Sequence, residues 1–365
     1  MKKNLLLALG ATVVALTANA TVRTVSNNVN SPGQYTTLQA AYDASSSNDT
    51  LYIHASETSY GNLTMEKPLV LIGEGALPNK QIQYKTQIGG ITLTYAPFPA
   101  TTTASGSKFY GMDIPNLILN NSASTGTGGI GNITVSRCKI GSFNGNATHS
   151  NLIIFQNVIG SVNGFKLFNS VFSNNIVEGF NCSSAEGANN LISNNVIQSY
   201  LYVKGAVISN NIFYHFASSG SIAFSNNACT FSKNIFYAFT PIVETAVISG
   251  SNTGSGNLFN TDPVYTTPAT SDQIIAYTYI NPETAPFANL HLQASSPGKN
   301  YGTDGTDVGI YGGGYPWVDG ENTDSRFRYF PMSKQVPHMI EMNVLNPTIP
   351  VNGTLNVEFN ARSQN

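Results

Sequence analysis

The chain has 365 residues, of which only 10% are charged; 17 Lys and Arg stand against 19 Asp and Glu, for a formal net charge of −2. A protein that tracks phosphates carries a basic stripe, so nucleic acid is excluded as a partner. The three cysteines, Cys138, Cys182 and Cys229, match no zinc spacing and cannot all pair with one another; they are expected as buried thiols, and no metal or other cofactor is expected.

The chain opens with Lys2 and Lys3, the apolar run LLLALGATVVAL and the small-residue end Ala18-Asn19-Ala20. That order predicts a secretory leader over residues 1–20, cleaved after Ala20. The mature protein is then secreted or held at the cell surface, with the periplasm as the other compartment this leader allows. Loss of Lys2 and Lys3 brings the charge from −2 to −4. No cysteine closely follows the run, so no lipid anchor is expected, and no later stretch has the roughly 18 apolar residues of a membrane span.

Next, TVRTVSNNV reads as a first strand, and TTLQAAYDAS from Thr36 has helical spacing with Leu38, Ala41 and Tyr42 on one face. DTLYIHAS and KPLVLIGEG are strand-like runs closed by turn residues, and QIGGITLTY and PNLILNN are irregular strands between loops.

From Ile133 to Phe239 one eleven-residue pattern recurs six times: ITVSRCKIGSF, LIIFQNVIGSV, SVFSNNIVEGF, NLISNNVIQSY, AVISNNIFYHF and CTFSKNIFYAF, starting at 133, 152, 170, 190, 206 and 229. A period near twenty that tolerates insertions is the mark of a solenoid. The eighth column (Ile140, Ile159, Val177, Ile197, Phe213, Phe236) and the eleventh (Phe143, Val162, Phe180, Tyr200, Phe216, Phe239) are expected to face the core. The sixth column is Cys138 and then Asn157, Asn175, Asn195, Asn211 and Asn234. Buried amides must be hydrogen-bonded, so a stacked asparagine ladder at a left-handed bend is expected. The seventh column (Val158, Ile176, Val196, Ile212, Ile235) should alternate outward, yet it is apolar. It is either an outer partner surface or a stripe turned inward by a bend.

The segments YTTLQAAYDASSSNDTLYIHASETSYGNLTMEKPLVLIGEG and LHLQASSPGKNYGTDGTDVGIYGGGYPW, with the asparagine-bearing rungs between them, resemble secreted right-handed parallel β-helix proteins of Bacteroidota in the pectin-lyase-like superfamily. The resemblance covers most of the mature chain and implies an architecture, not an activity. The expected fold is therefore all-β: a right-handed parallel β-helix over residues 21–337, capped by the N-terminal helix, with a C-terminal β-hairpin over 338–365.

Superfamily members that cleave acidic polysaccharides hold a Lys or Arg base beside groups that neutralise a uronate. Here Arg137 and Lys233 share the fifth column, but five rungs set them about 24 Å apart. Lys166, Lys204, Glu178, Glu186 and Glu244 share no face, and Asp304, Asp307, Asp319 and Asp324 read as turn residues, not a calcium loop. The ninth column gives a different signal. Glu178, Gln198, Tyr214 and Tyr237, with His215 alongside, would suit stacking on sugar rings; the competing reading is that the two tyrosines pack beneath a loop. The expected function is a non-catalytic scaffold that binds a glycan or an extracellular protein. A polysaccharide lyase or glycoside hydrolase, and a purely structural extracellular component, are the alternatives.

Overall fold

The computed structural model describes residues 20–29, 32–76, 84–95, 103–121, 129–182, 187–215, 221–266 and 290–317, and the backbone of 338–344 and 357–362. The leader apart from Ala20, Glu186, Phe216, Asp319 and Asp324 lie outside them. Two parallel sheets form the walls of a β-helix. The first stacks eleven strands, from Val22–Val25 to Thr253–Ser255, and the second runs from Asn62–Met65 to Leu258–Phe259. A short third sheet pairs Thr148–Ser150 with Lys166–Phe168, and the bridges Phe168 to Ala188 and Lys204 to Asn227 continue that side. Successive repeats pair in register, Ile153 with Thr134 and Val171, so each repeat is one coil.

The core follows the alternation of each strand. Val135, Ile154, Phe172, Ile192, Ile208 and Phe231 point inward from the first sheet and the eighth-column residues from the second. At the C-terminal end, Phe213, Phe236 and Phe259 form a flat stack with centroids 4.6 Å apart at each step and planes within 6° of parallel. Phe213 and Phe236 are fully buried and each contributes about 1.5–3 kcal/mol. The helix Leu38–Asp43 closes the other end: Thr37 accepts from Ala40 N at its N-cap, and Leu38, Ala41 and Tyr42 are buried in the core. The three cysteines are free and buried; burial pushes the thiols of Cys138 and Cys182 up to about 12, which leaves them unreactive. His338–Val344 and Val357–Arg362 pair as an antiparallel hairpin.

The sixth-column amides form a continuous ladder. Asn157 Nδ2 donates to Asn175 Oδ1 (3.0 Å), Asn175 to Asn195 (3.0 Å), Asn195 to Asn211 (2.9 Å) and Asn211 to Asn234 (3.0 Å). Each oxygen also accepts the backbone N–H of the preceding rung, beginning with Cys138 N to Asn157 Oδ1 at 2.9 Å. A further step, Asn234 Nδ2 to Asn257 Oδ1 (2.9 Å), reveals a seventh rung that the repeat count misses. Gly254, in its strand Thr253–Ser255, and Gly256, at the bend before its strand Leu258–Phe259, stand where other copies carry side chains.

The left-handed bend, however, lies one residue before the ladder. The fifth-column residues Arg137, Gln156, Asn174, Asn194, Asn210 and Lys233 have φ between 54° and 59°. A second left-handed column precedes the six repeats, Asn132, Asn151, Asn169, Asn189, Gly205 and Ala228; there Asn151 Nδ2 donates to Asn132 (3.2 Å) and Asn189 to Asn169 (3.1 Å). Two further expectations are corrected. Phe239 is 53% exposed, beyond the end of the strand Ile235–Ala238. A β-bulge after Val177 in the pairing of rungs three and four seats Leu201, not Tyr200, against Phe180 in the core.

Candidate carbohydrate-binding surface

The apolar seventh column does face outward, and the chain itself covers it. After the last rung, Gln293 N donates to Val264 O (2.9 Å) and Thr266 N to His291 O (2.7 Å). Residues 298–317 then run back along the outside of the solenoid as a strap. Leu290, Leu292, Val308, Ile310 and Trp317 pack with Val158, Ile176, Val196, Ile212 and Ile235 in one buried cluster. Gly309, at φ 90°, lets the strap touch Ile212; a Cβ there would sit 2.7 Å from Ile212 Cδ1.

The fifth-column side chains fasten this strap. Asn210 exchanges hydrogen bonds with Thr303, accepting from its N–H (2.9 Å) and donating to Oγ1 (3.1 Å). Asn194 Nδ2 donates to the carbonyls of Asp307 and Gly309 (3.3 Å each). Asn174 Nδ2 donates to those of Ile310 (3.0 Å) and Gly312 (2.7 Å), and Gln156 Nε2 to that of Pro316 (2.7 Å). Trp317 Nε1 donates to Asn174 O, Tyr315 stacks on Phe155 at 4.5 Å, and Lys233 Nζ lies 3.9 Å from the centre of the Tyr301 ring. Arg137 Nε donates to Gln156 Oε1 (3.0 Å). Thus the fifth column, including both of its cations, lies along the edge that receives the strap. Asp304 accepts from Thr306 and Asp307 pairs with Lys299, as turn residues do.

This cover corrects the ninth-column reading. Tyr214 is only 7% exposed and packs edge-on against Tyr265, with centroids 5.3 Å apart; burial, with Asp262 and Tyr237 nearby, pushes its hydroxyl up to about 12. Gln198 is fully buried, and neither amide atom has a hydrogen-bond partner. Tyr237 is half-buried, its ring 5.9 Å from Tyr214 and its hydroxyl bonded to Asp262. His215 donates from Nδ1 to Gln198 O (2.9 Å). Tyr214 belongs to the same buried cluster as the seventh column and is covered by Tyr265, and Gln198 is closed off from solvent, so neither can meet a ligand. Glu178 stays half-exposed.

A different pair of tyrosines takes the place of the expected one. In rungs one and two the ninth and tenth residues both face out before the eleventh returns to the core. Two outward columns follow, Ser142–Ser161–Gly179–Tyr200 and Asn144–Asn163–Asn181–Tyr202, in register across four rungs. The bulge at rung four turns Tyr200 outward, and its ring lies over Gly179, where a Cβ would come within 2.7 Å of it. Tyr200 and Tyr202 are half-exposed, with centroids 5.5 Å apart and planes 32° from parallel. Below them Ser142 and Ser161 share a hydrogen bond (3.1 Å), and Asn163 donates to Ser161 (2.8 Å) and Asn144 (3.3 Å). Burial, then the negative charge of Glu178, raises the Tyr200 hydroxyl above its ordinary range. The strip is an aromatic platform continued by a ladder of amides and hydroxyls, which is what stacking on a sugar and bonding its hydroxyls requires.

Ionisable groups also gather outside the strap, on the early rungs. Lys85 is ion-paired with Asp113, and Asp113 pairs in register with Lys139. Burial lowers the Lys139 ammonium from its usual range, Asp113 opposes this, and Lys85 adds to it. Close by in sequence, Glu74 binds His54 Nδ1 (2.8 Å) and Ala55 N (2.7 Å), engaging both carboxylate oxygens. Charge is therefore less scattered than the repeats alone suggest. Among the described residues no group of three His, Cys, Asp or Glu side chains is arranged to hold a metal, and no helix is long and apolar enough to cross a membrane.

The strand pairing and the stacked core together define the class, a parallel β-helix, and its second sheet carries an outward aromatic and polar strip. No family model and no curated protein matches the chain. Among solved structures it is similar to a pectin methylesterase from Aspergillus niger in penultimately deglycosylated form, at 15% identity and a TM-score of 0.25, over 71% of this chain and 94% of that one. The deglycosylated form of that enzyme matches at 14% identity with the same coverage and TM-score.

Proposed function

We propose that the protein is an exported, non-catalytic β-helix scaffold that binds a glycan on the outer face of its second sheet. The observation that carries this reading is the Tyr200–Tyr202 pair, turned outward by a bulge and continued by the Asn144–Asn163–Asn181 and Ser142–Ser161 columns. Export is supported by the Lys2-Lys3 start, the apolar run and Ala18-Asn19-Ala20. The test is a glycan array probed with the mature chain and with a Tyr200→Ala/Tyr202→Ala double variant. Retention of one or more glycans by the parent and their loss in the variant supports the reading; equal retention by both sinks it.

One observation favours the enzymatic alternative. Lys139 is half-buried and its ammonium is held below the usual range, a state suited to abstracting a proton. A lyase working there would release unsaturated products from a uronate polymer, read by ultraviolet absorbance, and Lys139→Ala would abolish the signal. No product from any polymer removes this alternative.

A further inference from the structure

We infer that the ligand of the Tyr200–Tyr202 surface is an uncharged glycan, laid along the helix axis across successive rungs, and that Glu178 turns acidic chains away. This rests on the proposed glycan binding and specifies its substrate class. The polar groups of the strip are Ser142, Ser161, Asn144, Asn163, Asn181 and the two tyrosine hydroxyls. Every one is neutral. A carboxamide presents both donors and acceptors, and a hydroxyl does the same, so together they match the paired donor and acceptor character of sugar hydroxyls. A carboxylate or sulfate only accepts hydrogen bonds and is held most strongly by donors that carry charge, such as Lys or Arg.

The outer-face cations whose partners are clear serve other contacts. Lys85 pairs with Asp113, Lys139 stands beside that acid, Lys233 caps Tyr301 and Lys299 pairs with Asp307. The charge beside the platform is negative: Glu178 directly precedes Gly179, which pairs with Tyr200 and lies under its ring, and the rise of the Tyr200 hydroxyl agrees with that placement. A uronate stacked on Tyr200 would bring a second negative charge toward that carboxylate and be repelled. The direction of the chain follows from the columns. Serines and asparagines repeat from rung to rung, not along one strand, so equivalent hydrogen bonds recur parallel to the axis and end on the tyrosines.

The experiment measures binding of three full-length mature proteins, parent, Glu178→Gln and Tyr200→Ala/Tyr202→Ala, to neutral gluco- and manno-oligosaccharides and to oligogalacturonate of equal length at low salt. The parent should bind its best neutral chain at least tenfold more tightly than oligogalacturonate, and the double variant should lose that binding. Glu178→Gln should narrow the gap three- to tenfold by improving oligogalacturonate alone. Tyrosine-dependent binding that favours oligogalacturonate, or a gap unmoved by Glu178→Gln, overturns the inference while leaving glycan binding in place. Absence of tyrosine-dependent binding to either class overturns the proposed function itself.

Discussion

Two strips lie side by side on the outer face of the second sheet. The seventh column, Val158 to Ile235, is aliphatic and sealed beneath residues 298–317. The tenth and twelfth positions, Ser142 to Tyr200 and Asn144 to Tyr202, are polar and aromatic and, except for Gly179 beneath the Tyr200 ring, stay open to solvent. Both strips alternate outward from the same strands, so outward orientation does not decide which one meets solvent. Composition decides it. Five aligned aliphatic side chains offer about 1.5–3 kcal/mol each on burial, enough to hold down a segment whose own hydrogen bonds are those of successive tight turns. The open strip offers no such gain and keeps its polar groups available.

The largest effect that would test this contrast comes from charging the covered strip. Ile212→Asp should cost about 5 kcal/mol or cause misfolding, because it buries an unpaired carboxylate under Gly309; a denaturant midpoint within 0.5 M of the parent would show that the strap does not seal the column. The interior shared by both strips comes next. Asn195→Ala leaves Phe172 O and the side-chain amide of Asn175 without their ladder partner, for an expected loss of about 3 kcal/mol in chemical denaturation.

His149 gives a pH-dependent effect of similar or slightly smaller size. It is 1% exposed, donates from Nδ1 to Ile130 O (3.1 Å) and meets the Phe165 ring edge-on at 5.4 Å. Burial lowers its pKa from 6.5 to about 4. The unfolded chain therefore binds the extra proton between those values, and stability falls as pH drops from 6.5 to about 4, by about 2–3 kcal/mol in total. Difference titrations of stability against His149→Leu should remove that slope; identical slopes would refute the assignment.

On the open strip, Tyr200→Ala with Tyr202→Ala should weaken glycan binding by about 2 kcal/mol, roughly thirtyfold, while the denaturation midpoint moves little. The smallest effect sharpens the comparison most. Tyr237→Ala, in the wall once expected to bind, should change glycan affinity less than about twofold, and a larger loss by calorimetry would restore that wall as the site.

The coil, the inward columns and the sixth-column ladder are legible in the sequence because each depends on a period that pairing in register enforces rung after rung. The strap is not. Its contacts join residues far apart in the chain, 136 positions for Asn174 with Ile310, and a run of glycines and turn residues announces no partner. An apolar column set to face outward was the available signal. Tyr200 is misplaced for a local reason: one extra residue in rung four shifts every later side chain to the opposite face, as period-two alternation demands. The seventh rung is not legible because Gly254 and Gly256 replace the side chains that mark the other copies.

The strap also bears on how the molecule comes apart. In an array of stacked coils each unit holds only its immediate neighbours, so ends can peel away one layer at a time. Here a single length of chain is stitched to Gly256, Asn210, Asn194, Asn174 and Gln156 in turn. A layer in the middle of that span cannot open without tearing stitches on both sides, which converts a local fluctuation into a collective one. Backbone amides between Gln156 and Gly256 should therefore exchange with solvent as one block, and the strap, whose landing sites exist only after the layers have stacked, should be the last piece to settle during folding.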